Sequence, residues 1–331
     1  GAFVARYLDS FPPHCLRGLR VAVYEHSSVA RESLAEVLAG LGAEVVCLGR
    51  SGHFVPVDTE AIRPEDQALA RAWAKRVGFD AIVSADGDGD RPLLGDERGE
   101  WWRGDLIGPW CARFLGIRTL VTPVSSNTLV EKSGWFEQVI RTRIGSPYVI
   151  EAMVQAEREG RGPVAGYEAN GGFLTASPIP LARGILGALP TRDCLLPILA
   201  VLCDARASGR PLSALTQGLP QRFTHSGRLQ DFPATISQAR LAAWCPTDLS
   251  VVSQMAACER LEDFFGAVLG AVHTLDLTDG LRITFASGDI LHLRPSGNAP
   301  ELRVYVEASS PGAAEAMTAS SLALLEGWRR A

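Results

Sequence analysis

The stretch FDAIVSADGDGDRP, Phe79–Pro92, decides the fold. Its first half is apolar and predicts a buried strand over Asp80–Ala85. Its second half sets three carboxylates, Asp86, Asp88 and Asp90, at a spacing of two with glycine between, and closes on Arg91. That spacing lets the backbone coil tightly and predicts three carboxylates turned to one point. Left alone they would raise one another's pKa, and a hard divalent cation with oxygen ligands relieves the conflict. The neighbouring guanidinium points to phosphate nearby. A solvated acidic turn is the plain alternative; three aspartates and an arginine directly after an apolar strand argue against it. Glu97 lies twelfth from Asp86, as in a calcium-binding helix–loop–helix, but that pattern needs glycine sixth, where Arg91 stands, and a helix before the loop.

Outward from this loop, strand and helix alternate. Leu19–Tyr24 and Glu44–Leu48 read as strands. The helix between them is predicted to start at a Ser27 or Ser28 cap, to carry Val29, Leu34, Val37, Leu38 and Leu41 inward, and to stop at Gly42. A second helix follows Pro64, with Leu69, Trp73 and Val77 inward. Strand–helix–strand–helix–strand predicts parallel pairing with right-handed crossovers, and ligands there bind beyond the carboxyl ends of strands.

A second unit of this kind begins near Trp101. Leu106–Leu115 reads as a helix, Thr119–Val124 as a strand, Phe136–Arg143 as extended chain and Pro147–Arg158 as a helix. The strand Val164–Tyr167 runs into Glu168-Ala169-Asn170-Gly171-Gly172. These residues suit a ligand rich in hydroxyls; they also suit a plain hairpin turn to Gly172–Thr175, and the stretch alone supports both. Gln217–Arg228 reads as a linker. Beyond it, Thr274–Leu277, Leu281–Phe285, Ile290–Leu293 and Leu302–Val306 read as short strands in an antiparallel sheet, closed by a helix from Pro311 to about Trp328. The last hairpin carries Arg294, Ser296, Gly297, Asn298 and then Arg303. Guanidinium forks, a hydroxyl and backbone N–H groups held between two prolines suit a phosphate dianion better than a bare turn.

The chain has 331 residues, enough for two or three domains, with 47% hydrophobic and 21% charged residues, as in ordinary globular proteins. A net charge of −5 argues against a nucleic-acid partner. The apolar run Cys194–Cys203 is too short to span a bilayer and contains Pro197. Seven cysteines, none in CxxC spacing, read as reduced thiols in a cytoplasmic protein. The opening Gly-Ala-Phe, without methionine, reads as part of a longer chain.

DGDGDR (Asp86–Arg91), GYEANGG (Gly166–Gly172) and RPSGNAPELRVYVEA (Arg294–Ala308), in this order, resemble the metal, sugar and phosphate loops of the α-D-phosphohexomutase family, the phosphomannomutases and phosphoglucomutases. The resemblance covers nearly the whole chain and starts at the family's second domain. It implies an α/β fold: two related α/β domains, 1–100 and 101–218, with mixed, largely parallel sheets, and a C-terminal α+β domain, 219–331, with an antiparallel sheet. It further implies Mg²⁺ on Asp86, Asp88 and Asp90, together with a phosphoserine from an N-terminal domain that this sequence does not contain. Arg91 would sit beside the transferring phosphoryl group. Glu168 and Asn170 would hold sugar hydroxyls, although the family usually has serine where Asn170 stands. Arg294, Ser296, Gly297, Asn298 and Arg303 would hold the phosphate that does not react, with Arg143 and Ser146 as further cleft contacts. Thr175-Ala176-Ser177 echoes the family's phosphoserine loop, but it lacks the histidine and asparagine that follow there, and Ser177 is rejected as the nucleophile. The implied activity is that of an isomerase interconverting hexose 6-phosphate and hexose 1-phosphate through a bisphosphate, with mannose first and glucose second, and with no turnover by this chain alone. A non-catalytic sugar-phosphate binder is the alternative of another class.

Overall fold

The computed structural model describes residues 1–248, 250–297 and 299–329. It divides into two compact units, Gly1–Leu219 and the chain from Pro220 onward.

The first unit opens with α1 (Ala2–Ser10), β1 (Arg20–Tyr24), α2 (Arg31–Gly40), β2 (Glu44–Leu48), α3 (Pro64–Val77), β3 (Ala81–Ala85) and β4 (Pro92–Gly95). The strands lie in the order β2-β1-β3-β4, the first three parallel and β4 antiparallel to β3. Pro92 begins an edge strand, where its missing N–H costs nothing. The helix faces differ from expectation. Helix α2 starts only at Arg31, with no side-chain cap; the Ser28 hydroxyl accepts from Ala30 N–H at 3.2 Å instead. Val29 therefore falls in the preceding turn, 71% exposed, and its N–H donates to Gly87 in the acidic loop. In α3, Asp66, Ala70 and Trp73 face inward while Leu69 is exposed, because the Trp73 ring packs on Tyr24 and sets the buried stripe.

The second sheet follows from α4 (Gly104–Phe114), β5 (Thr119–Pro123), α5 (Leu129–Lys132), β6 (Gln138–Thr142), α6 (Ser146–Arg158), β7 (Val164–Tyr167), β8 (Phe173–Thr175), the small ribbon β9 (Ile179–Leu181) and β10 (Gly184–Leu186), β11 (Leu189–Asp193), α7 (Leu195–Ser208) and α8 (Leu212–Leu215). Its order is β11-β8-β7-β5-β6, with β7, β5 and β6 parallel and β8 antiparallel to both of its neighbours, β7 and β11. The apolar run at Cys194–Cys203 is helix α7, buried on every side from Leu195 to Leu202 and packed on α4 and β4. Pro197 lies in its first turn, where an N–H has no helical partner. One apolar core, including Val21, Leu38, Trp110 and Leu199, runs through both sheets and makes the two halves a single unit.

The second unit holds β12 (Phe223–Leu229), α9 (Ala234–Trp244), α10 (Val251–Leu269), β13 (Val272–Asp276), β14 (Leu281–Phe285), β15 (Ile290–Pro295), β16 (Leu302–Ala308) and α11 (Pro311–Glu326). Its sheet, β12-β16-β15-β14-β13, is antiparallel throughout. The expected linker Gln217–Arg228 is corrected here: from Phe223 on it is β12, paired along its length with β16. An edge strand half open to solvent carries polar residues, which hid it in the sequence.

Candidate functional site

The acidic loop leaves β3 at its carboxyl end and closes on itself. Asp86 N–H donates to Arg91 O at 3.0 Å, and Asp86 Oδ1 accepts from the N–H groups of Asp90 at 3.1 Å and Arg91 at 3.2 Å. Gly89 has φ +73°, and a Cβ there would lie 2.9 Å from the Ala30 Cβ. Asp88 is exposed. Asp90 Oδ2 accepts from Arg192 Nε at 2.8 Å, while Asp90 Oδ1 is buried and has no hydrogen-bond partner. Arg91 Nε lies 3.8 Å from Asp86 and 3.9 Å from Asp90. Burial pushes the Asp86 carboxyl above the ordinary carboxylate range, and the Asp90 charge adds to it against the opposing backbone N–H groups. The three carboxylates do not converge: among the described residues no group of three or more His, Cys, Asp or Glu is gathered for a metal. Asp86 is committed to closing the loop and Asp90 to Arg192. The donor set still suits a hard cation, since it is all oxygen, contains an orphaned buried carboxylate oxygen and strains the Asp86 charge. Phe54, Pro56, Val57 and Asp58 face this loop across a cleft of about 350 Å³.

The second loop joins β7 to β8 as a hairpin, so the turn reading and the ligand reading describe the same backbone. Glu168 N–H donates to Gly172 O at 3.1 Å, and Gly171 N–H to Glu168 O at 2.8 Å. Asn170 Oδ1 accepts from Gly172 N–H at 2.9 Å, and the Thr59 hydroxyl donates to Asn170 O at 3.0 Å. The side-chain oxygen expected to meet a sugar thus closes the loop. Glu168 keeps a functional posture: it is buried, and its Oε2 accepts from Ser146 Oγ at 2.9 Å and from Arg192 Nη1 at 3.5 Å. Gly104, at the start of α4, has no room for a side chain, since a Cβ would lie 2.1 Å from Gly171 N. Arg143 is exposed and its guanidinium lies 5.8 Å from the Tyr148 ring centroid; both line a cleft of about 550 Å³ with Glu151, Gln155 and Arg158.

Ser177 is buried, accepts from Val164 N–H at 2.8 Å and donates to Glu157. It ties the end of β8 to α6.

In the second unit, Arg294 is the penultimate residue of β15 and forms an ion pair with Asp279 at 2.9 Å. Ser296 is buried and its N–H donates to Glu301 O at 2.8 Å; Gly297 is exposed. Asn298 lies outside the described residues. Arg303 stands directly across from Arg294, and Arg228 on β12 directly across from Arg303. Glu301 lies 3.4 Å from Arg228 and 3.9 Å from Arg303. Like charges thus stand directly opposite one another along the row, a destabilising arrangement that Asp279 and Glu301 offset.

Sequence reasoning missed Arg192 and Arg228. A charged pair, Arg192-Asp193, directly before the buried helix α7 was the available signal for the first. The second had none once β12 was taken for linker.

The fold and these loops define an α/β protein with an acidic loop and a carboxylate hairpin in one unit and a row of arginines in an antiparallel sheet of the other. Residues 5–99, 104–223 and 252–323 match the profiles described as phosphoglucomutase/phosphomannomutase, alpha/beta/alpha domain II, alpha/beta/alpha domain III and C-terminal domain. A phosphomannomutase of Sinorhizobium fredii (strain NBRC 101917 / NGR234) is 46% identical over 98% of this chain and 66% of its own length. A phosphomannomutase of Salmonella muenchen is 43% identical over 93% of this chain and 62% of its own. This chain thus spans less than two thirds of either relative. A solved phosphoglucomutase/phosphomannomutase family protein from Burkholderia thailandensis shares the fold, with TM-score 0.70 at 19% identity over 99% of this chain and 64% of that one. Aspergillus fumigatus N-acetylphosphoglucosamine mutase, solved in complex with GlcNAc-6P and magnesium, gives TM-score 0.59 at 14% identity over 98% and 65%. The chain belongs to the phosphoglucomutase/phosphomannomutase family.

Proposed function

We propose that this chain forms the cation-, sugar- and phosphate-binding part of a phosphohexomutase of the phosphomannomutase type, an isomerase that moves a phosphoryl group between the 6- and 1-positions of a hexose. The observation that carries this is the joining of the acidic loop to the Glu168 hairpin through Arg192, with Asp90 at 2.8 Å and Glu168 at 3.5 Å. In this reading the chain has three domains, 1–100, 101–218 and 219–331. Asp86, Asp88 and Asp90 hold Mg²⁺, which neutralises charge on a phosphoryl oxygen when bound. Arg91 lies beside that group. Glu168 accepts from sugar hydroxyls, and Ser146 fixes its carboxylate. Within the second unit, Arg294, Arg303, Ser296 and Gly297 cradle a phosphate. Because either end of a bisphosphate must fit, a row of fork donors serves better than a single directed contact. Arg143 contacts the substrate from the cleft beside α6.

In this reading Ser177 has a structural role, its hydroxyl donating to Glu157 and accepting from Val164 N–H. The setting is cytoplasmic, with hexose phosphate as the partner rather than nucleic acid or membrane. The seven cysteines are free thiols, and among the described residues no helix is long and apolar enough to cross a membrane. The test is a turnover assay of this chain with mannose 1-phosphate, Mg²⁺ and catalytic hexose bisphosphate. No steady turnover is expected. Turnover that scales with protein and disappears in Ser177→Ala would make Ser177 the nucleophile and overturn the assignment.

A further inference from the structure

Arg192 lies on β11, outside every loop that the family resemblance singles out. Its stem runs along the hairpin backbone, so close that a Cβ at Gly172 would lie 2.8 Å from Arg192 Cδ. Its Nε reaches Asp90 Oδ2 at 2.8 Å, while its Nη1 is still 3.5 Å from Glu168 Oε2. One guanidinium therefore serves a carboxylate from each of two loops, tightly on one side and loosely on the other. The second oxygen of Asp90 is buried without a hydrogen-bond donor. On the far side, Glu168 Oε2 is steadied by Ser146 Oγ at 2.9 Å. The side chain is 28% exposed.

We propose that Arg192 is a positioning residue that couples cation binding at the acidic loop to hexose recognition at Glu168. The proposal rests on the reading of those loops as cation and sugar sites. Arg192 occupies Asp90 as an internal cation. With a cation held at Asp90, the Arg192 guanidinium would be free to close on Glu168 and fix its carboxylate towards the sugar hydroxyls. A fork donor suits this role because it can hold two carboxylates in different directions, which a point charge does not. Coupling between two sites is reciprocal, so it is read from either ligand.

The experiment is calorimetric titration of Mn²⁺ alone, of mannose 1-phosphate alone, and of mannose 1-phosphate at saturating Mn²⁺. It uses the parent, Arg192→Met and Arg192→Lys. Methionine keeps the stem on Gly172 and removes the charge, so Arg192→Met is expected to bind Mn²⁺ about 10-fold more tightly than the parent, equivalent to about 1.4 kcal/mol. In the same variant the gain in mannose 1-phosphate affinity caused by Mn²⁺ is expected to fall by at least half. Arg192→Lys keeps a charge on Asp90, so parental Mn²⁺ affinity returns while the coupling stays lost, a split that a merely structural role does not produce. Unchanged Mn²⁺ affinity in Arg192→Met, or unchanged dependence of sugar-phosphate binding on Mn²⁺, overturns the proposal while leaving the two sites intact. A parent that binds neither ligand overturns the site reading, and the coupling falls with it.

Discussion

Asp86 and Asp88 sit two residues apart, yet their side chains do different work. Asp86 Oδ1 closes the loop on two backbone N–H groups, whereas Asp88 is exposed. Asp86→Ala is therefore expected to cost about 1–3 kcal/mol by leaving those donors unpaired. Asp88→Ala is expected to change stability by less than about 0.5 kcal/mol, while removing the rise in Tm that Mg²⁺ gives the parent. That rise corresponds to about 2.7 kcal/mol at ~100 times Kd. Melting curves with and without Mg²⁺ check both, and a shift that survives in Asp88→Ala puts the cation elsewhere. His292 supplies a second prediction. Burial pushes its imidazole down to about 4, although the Asp279 carbonyl at 2.6 Å favours the charged ring, while Arg282 and Arg294 oppose it. The unfolded chain, with an imidazole near pKa ~6.5, takes up the proton first. Neutral His292 thus contributes fully above that pH, and about 3 kcal/mol is lost as pH falls from there through 4. Denaturant titrations of the parent between pH 7 and pH 4, set beside His292→Gln, measure it; a parent as flat with pH as the variant would refute the assignment. At this scale the sequence exposed residues in short motifs and hid those acting alone. Asp86, Glu168 and Arg294 announce themselves by their neighbours, but Arg192 has meaning only once β11 lies beside the hairpin.

At the level of elements, strands that are apolar on both faces were legible, as β1, β3, β5 and β7 show. Helix faces were less so, because the orientation of α3 depends on where the Trp73 ring packs. Strand β12 was misread since its exposed, polar residues look like linker until β16 pairs with them. Its recovery brings Arg228 into line with Arg303 and Arg294. Arg228→Ala is expected to weaken inorganic phosphate binding about 10-fold, at the low end for a charge-assisted hydrogen bond. With a side chain 57% exposed at an edge, it is expected to leave the fold stable. Phosphate titration of the variant checks this; parental affinity would remove Arg228 from the cradle. Gly89→Ala tests the acidic loop in the same spirit. A Cβ at φ +73° and 2.9 Å from Ala30 forces the loop open, and a loss of more than ~1 kcal/mol is expected in thermal melts.

For the molecule as a whole, family and fold class were readable from three loops in order, because each is a contiguous motif at a strand end. How the halves of the first unit combine was not readable, since the core that fuses them runs through α7, whose uniform apolarity carries no helical period. The proposed function gives Glu168 the recognition of sugar hydroxyls and Arg294 the recognition of phosphate. It is tested most directly by titrating mannose 1-phosphate, glucose 1-phosphate and inorganic phosphate into the parent, Glu168→Ala and Arg294→Ala. Arg294→Ala is expected to weaken all three by roughly 10- to 100-fold. Glu168→Ala is expected to reduce discrimination between the sugars and leave inorganic phosphate nearly unchanged. Equal binding of all three ligands by the parent and both variants would contradict the account.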